Sequence, residues 1–250
     1  MALTTNHLVV AITFALLVSA PLSQRARKML SYFGLPGMAA FALQRMYSGI
    51  DLKSELAFYS AFHSDWRNVI IHIFFVPALL WTAMIYMAYV PLPMASRAPS
   101  FFGQPLNFAH GLACVYIVFH AACDVVLGTL AGLLWAAMAY TATALVRREL
   151  RAGNKAHTPS GKPTASRSSF GTCAAYAGAL HVLSWYMQLH PGHAVFEGRK
   201  PALIDGMYQS FSVAPLFVFY EGAFAVGYRP ELAQTVHEAV AEQHAAWAAA

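Results

Sequence analysis

The chain is 250 residues long, with 58% hydrophobic and only 11% charged residues, far below the roughly 25% charged share of soluble globular domains. With a mean hydropathy of +0.48, these proportions exclude an ordinary water-soluble domain, and the length leaves no room for a second folded unit of usual size. The net charge of +5 does not indicate a nucleic-acid partner, because the 16 Lys and Arg residues fall mainly between apolar runs rather than on one basic face; they read as topology determinants and lipid-headgroup contacts.

The first element, Leu8 to Leu22, is apolar and is followed by Arg25, Arg27 and Lys28. Positive charge after the apolar stretch is the wrong order for a cleaved signal, so the stretch reads as a short anchor or a helix lying against the bundle. Residues 24 to 65 are mixed and partly amphipathic, with Gly34, Pro36 and Gly37 expected to form a turn. Ser64 or Asp65 supplies a helix cap ahead of a first clear span from Trp66 to Tyr89, which Pro91 and Pro93 stop. Residues 91 to 106 read as a loop.

The next apolar stretch, Phe108 to Val146, is too long for one span and predicts two helices hinged near Asp124 and Gly128. Arg147 to Arg167 reads as a basic, flexible loop. A helix over Cys173 to Leu189 is expected to break at Pro191 and Gly192, and a last apolar helix runs from Met207 to Val226. After Pro230 an Ala- and Glu-bearing tail predicts a short helix outside the membrane. The fold class is therefore all-α, a multi-pass transmembrane helical bundle. Cys114, Cys123 and Cys173 are odd in number and lack CxxC spacing, which argues against a disulfide framework.

Two segments carry the histidines of interest, residues 58 to 72 and 181 to 205. His63 and His72 are nine residues apart, and one continuous helix would put them on opposite sides. They converge only if the chain breaks between them, as the Ser64 and Asp65 cap allows. Asn68 lies one turn before His72, where its amide is placed to orient the imidazole. If a helix resumes after Gly192, His193 and Glu197 share a face and can both reach one ion. Neutral imidazoles with a carboxylate suit a first-row metal, and open positions on such a site suit iron and dioxygen. His7, His110, His120, His157, His237 and His244 read as hydrogen-bonded polar tips, and His120 with Asp124 as packing of the helix hairpin.

The motifs Phe58-Tyr59-Ser60-Ala61-Phe62-His63, Asn68 to His72 followed by Phe75-Val76-Pro77, and Gly192-His193 through Glu197, Arg199, Lys200 and Pro201 to Asp205 occur in that order. With Gln209-Ser210, Ala214-Pro215-Leu216 and Glu221, the set resembles the membrane-bound 2-hydroxy-fatty-acid dioxygenases, whose fungal member acts in phytosphingosine breakdown. The resemblance covers roughly residues 50 to 230. It implies an iron(II)-dependent α-oxidation in which a 2-hydroxy fatty acid and O2 give the fatty acid one carbon shorter and CO2, with localisation to the endoplasmic reticulum. Carried over, the iron ligands are His63, His72 and His193. Glu197 is left open as a fourth ligand, a proton acceptor or a support behind the ligands, and Arg199 or Lys200 is assigned to the substrate carboxylate. Where the family has Gln-Phe-x-Gly-His, this chain has Gln188-Leu189-His190-Pro191-Gly192-His193, one residue longer, which makes His190 a rival ligand; His181 has no assigned place.

This reading divides the chain into an anchor and membrane-surface segment over residues 1–50, a dioxygenase-like membrane domain over 51–230 and a helical tail over 231–250. If the helices at 66–89, 108–123, 125–146 and 173–189 all cross, the three histidines emerge on one face, opposite the basic loop from Arg147 to Arg167. A di-iron hydroxylase needs about eight histidines in HxxxH and HxxHH clusters, which the chain lacks. The non-enzymatic alternative is a membrane scaffold or lipid-binding protein.

Overall fold

Short polar side chains mark where helices start. In the computed structural model, which describes residues 28, 30–93, 100–155, 171–201 and 207–249, a π-helical turn over Leu30–Gly34 leads into α1 (Leu35–Ser48). Asp51 caps α2 (Leu52–Ala61) by accepting the Ser54 N–H at 3.2 Å, and Asp65 caps α3 (Trp66–Ala88) by accepting the Arg67 N–H at 2.9 Å. Asn107 and His110 form a reciprocal capping box at the start of α4 (Phe108–Cys123). The chain then continues through α5 (Val125–Lys155), α6 (Thr172–Met187), a π-helical segment (Gln188–Glu197), α7 (Met207–Ala225) and α8 (Pro230–Ala249). The described residues are all-helical apart from short bridges and turns, as composition predicts. The apolar stretch Leu8 to Leu22 lies outside them.

Two helices are long and apolar enough to cross a membrane, Trp66–Ala88 and Val125–Ala152. A third span arises if Ser210–Ala225 and Pro230–Ala249, bent by 113°, count as one. The expected hinge falls at Asp124, whose carboxylate caps α5 through the N–H groups of Val126 and Leu127, both at 2.9 Å. The same carboxylate accepts Tyr220 Oη at 2.6 Å and Arg229 Nη1 at 2.9 Å, pinning both ends of the bend after α7 to the hinge. Gly128 is required here: a Cβ at this position would stand 2.0 Å from the carbonyl oxygen of His120. Around the hairpin, Trp135, Tyr220, Phe217, Leu56, Met84 and Leu216 are fully buried.

Four expectations are corrected. Gly34, Pro36 and Gly37 do not form a turn, because Pro36 sits in the first turn of α1, where its missing N–H costs no helical bond. The helix expected to end at Val146 runs on to Lys155, since Arg147, Arg148, Glu149, Leu150 and Arg151 are good helix formers that keep their charges at the membrane edge. Pro191 and Gly192 do not break the chain; they lie inside the π-helical segment, continuous with α6. Finally, α4 has 16 residues, about 24 Å of helix, and so falls short of the full crossing expected at 108–123.

Candidate metal centre

The break between α2 and α3 brings His63 and His72 together. His63 follows the end of α2 and sits against Tyr59 and Phe217, with ring centroids 5.9 and 5.4 Å away. His72 points inward from the second turn of α3 and His193 from the π-helical segment. The ring centroids are 4.4 Å apart for His63 and His72, 4.9 Å for His63 and His193, and 5.1 Å for His72 and His193. One ligand nitrogen from each lies within 4.8 Å of the others, and all three residues are buried.

Hydrogen bonds set the tautomers. His63 Nδ1 faces the Tyr59 carbonyl at 2.7 Å and His72 Nδ1 faces the Asn68 carbonyl at 3.0 Å. A carbonyl only accepts, so each Nδ1 carries the proton and each Nε2 keeps a free lone pair. Nδ1 of His193 is buried with no hydrogen-bond partner. Burial favours neutral rings outside the membrane span, pushing His63 down to about 4 and His193 to about 3. Three neutral imidazoles with free nitrogens, one buried nitrogen unsatisfied, fit a divalent transition metal.

The other predicted residues take different places. The side-chain amide of Asn68 does not orient His72; its main-chain carbonyl does, while Nδ2 donates to Glu197 Oε1 at 3.0 Å. The same Glu197 oxygen accepts the Asp65 N–H at 2.9 Å. Glu197 therefore ties the π-helical segment to the start of α3, and the ligand group found among the described residues comprises the three histidines alone. Arg199 is exposed, with its guanidinium 4.9 Å over the Trp247 ring, and Lys200 is exposed beside it.

The chain from Gln188 to His193 stays helical. A π-helical turn bonds i to i+5, so Gln188 and His193, five apart, both stay buried. His190 turns outward instead, exposed and stacked on Tyr186 at 5.4 Å with 7° between the rings. His181 is also accounted for: Trp185 donates to its Nε2 at 3.2 Å, which leaves Nδ1–H for Thr82 Oγ1 at 2.7 Å. His120 is held in the same way, by Trp135 on Nδ1 at 3.1 Å and the Ser212 carbonyl on Nε2 at 2.9 Å.

Sequence reasoning missed the role of α8. It packs on α2 rather than standing apart: His244 Nε2 donates to the Ala61 carbonyl at 2.8 Å, and Trp247 lies 5.2 Å from the Phe62 ring. Together with Arg199, Trp247 links the segment before His63 to the one after His193. No local motif marks such a contact across more than 180 residues.

A family model, that of the Mpo1-like 2-hydroxy-palmitic acid dioxygenases, matches residues 50–226, which include all three histidines. The chain belongs to this family. A relative, the 2-hydroxy-palmitic acid dioxygenase MPO1 of Saccharomyces cerevisiae, is 28% identical over 187 residues, covering 75% of this chain and 88% of the relative. No solved structure matches. Within this Mpo1-like chain, α8 and most of the segment before α2 lie beyond the matched residues.

Proposed function

We propose that the protein is an iron(II)-dependent dioxygenase that converts a 2-hydroxy fatty acid and O2 into the fatty acid one carbon shorter, CO2 and water. The observation that carries the reading is the buried trio His63, His72 and His193, with one ligand nitrogen each within 4.8 Å. The balance closes: the C1–C2 bond breaks, C2 is oxidised from alcohol to carboxylic acid, C1 leaves as CO2, and O2 supplies the oxidant and ends in the acid and water.

Bound by these histidines, iron(II) supplies O2 binding and positions open to the substrate's hydroxyl and carboxylate. The chain does the rest. The carbonyls of Tyr59 and Asn68 keep Nε2 of His63 and His72 directed as donors. Glu197 holds the His193 segment against α3 through Asp65 and Asn68. Phe217 and Tyr59 keep water away from His63. Arg199 or Lys200 is assigned to the substrate carboxylate, and the apolar bundle and surrounding lipid to the alkyl chain. Residence in the endoplasmic reticulum and a place in sphingolipid breakdown belong to the same reading.

The test is oxygen consumption by the purified protein with 2-hydroxypalmitate, with and without added iron(II). Stoichiometric release of CO2 and pentadecanoic acid is expected; no turnover with iron supplied contradicts the reading.

A further inference from the structure

The histidine trio has no open face. His63, His72 and His193 are 6, 7 and 3% exposed, so a fatty-acid headgroup reaches them only where the surrounding shell gives way. Tyr59 and Phe217, whose rings face His63, belong to the bundle core, and close packing there leaves them little room to yield. Among the described residues, the end of α8 is different. Leu232, Val236 and Val240 share one face and bed the first part of the helix in the core. Beyond Val240 no described residue is buried. This last stretch, residues 241–249, is held by side-chain tips. His244 Nε2 donates to the Ala61 carbonyl at 2.8 Å and lies 3.4 Å from Ser64 Oγ, and the Trp247 ring lies 5.2 Å from that of Phe62. With so little apolar area buried, the stretch opens at low cost while the rest of the bundle stays folded.

The segments beneath this stretch are the ones that carry ligands. Ala61, Phe62 and Ser64 flank His63 in the chain. On the other side Trp247 meets Arg199, whose guanidinium carbon stands 4.9 Å over the indole. Arg199 is tied in turn to a second ligand, since its main-chain N–H donates to the His193 carbonyl at 3.1 Å. One exposed indole thus bridges the two segments and covers a face of the arginine. An exposed cation–π contact is weak beside the pair of parallel bonds that a guanidinium makes to a carboxylate. An entering carboxylate therefore displaces the indole.

We propose that the last turns of α8 are an entrance gate: Trp247 holds Arg199 until the carboxylate of a 2-hydroxy fatty acid takes its place and releases residues 241–249. The gate rests on the dioxygenase reading and adds a selection step to it. The acid group, not the alkyl chain, opens the site, so a neutral ester of the same length leaves it shut.

Amide hydrogen exchange of the iron(II)-loaded full chain, held without oxygen so that nothing turns over, tests this with 2-hydroxypalmitate and its methyl ester as probes. The acid should speed exchange at residues 243–249 severalfold, and the ester should not. Equilibrium binding of the acid then separates a gate from a brace. Trp247→Ala raises the open fraction and should tighten binding severalfold, whereas Arg199→Ala removes the partner of the carboxylate and should weaken it roughly tenfold. Two variants that shift binding the same way overturn the gate, because a contact that only braces the fold behaves so. Bound acid with unchanged exchange at residues 243–249, or equal acceleration by the ester, overturns it as well. If neither the wild type nor Trp247→Ala binds 2-hydroxypalmitate, the dioxygenase reading itself falls and takes the gate with it.

Discussion

At the scale of single residues, the centre depends on neutral imidazoles and on one glycine. Burial holds His63 and His193 below the usual histidine range, so between about pH 6.5 and the folded values the unfolded chain binds more protons than the folded one. The stability from these neutral rings is complete above about pH 6.5 and is lost as pH falls toward about 4. The metal-free protein is therefore expected to melt at a lower temperature at pH 5 than at pH 7, and an unchanged or raised melting temperature would count against buried neutral histidines. Gly192 makes a second test. A Cβ there would stand 2.3 Å from Asn68 Oδ1, so Gly192→Ala must displace the amide that binds Glu197. A loss of about 1–3 kcal/mol is expected, with weakened metal retention, measured by thermal unfolding and iron analysis.

At the scale of elements, the histidine spacing and the cap at Asp65 were readable because they follow from helix geometry alone. Nine residues cannot bring two rings together within one helix, and a side chain such as Asp65 stops and restarts it. The hinge at Asp124 was readable for the same kind of reason, since the apolar stretch exceeds any span. The π-helical segment was not. Pro191 and Gly192 carry a strong local signal for a break, and only the folded chain, packed against α3, shows that the helix continues through them as a wider turn. The hairpin α4–α5 gives one prediction: Gly128→Ala sets a Cβ against backbone rather than a flexible side chain, and should cost about 3 kcal/mol or more, read as lost folded protein in detergent. α8 gives another. Trp247→Ala removes the contact shared by Phe62 and Arg199, and is expected to speed metal release severalfold while leaving helix content unchanged. An unaltered release rate would show that α8 only covers α2.

At the scale of the molecule, composition announced a membrane bundle, but not how many helices cross. Apolar content reports burial in lipid or in protein without distinguishing them, and α4 is apolar yet short for a span. The centre does not depend on that count. The three rings touch, so the starts of α3 and of the π-helical segment lie at the same end of the bundle, while Arg147, Arg148 and Arg151 lie at the other. What the sequence could not carry is any contact between distant segments: Glu197 on Asp65, or His244 on Ala61. Such pairs depend on the closed bundle and leave no local spacing to read.

The most direct test of the account is the iron content of purified protein, measured for the wild type beside His63→Ala, His72→Ala and His193→Ala. One iron per chain is expected in the wild type, with each variant folded but at least tenfold depleted; wild-type protein that takes up no iron, or variants that retain it, would contradict the assignment.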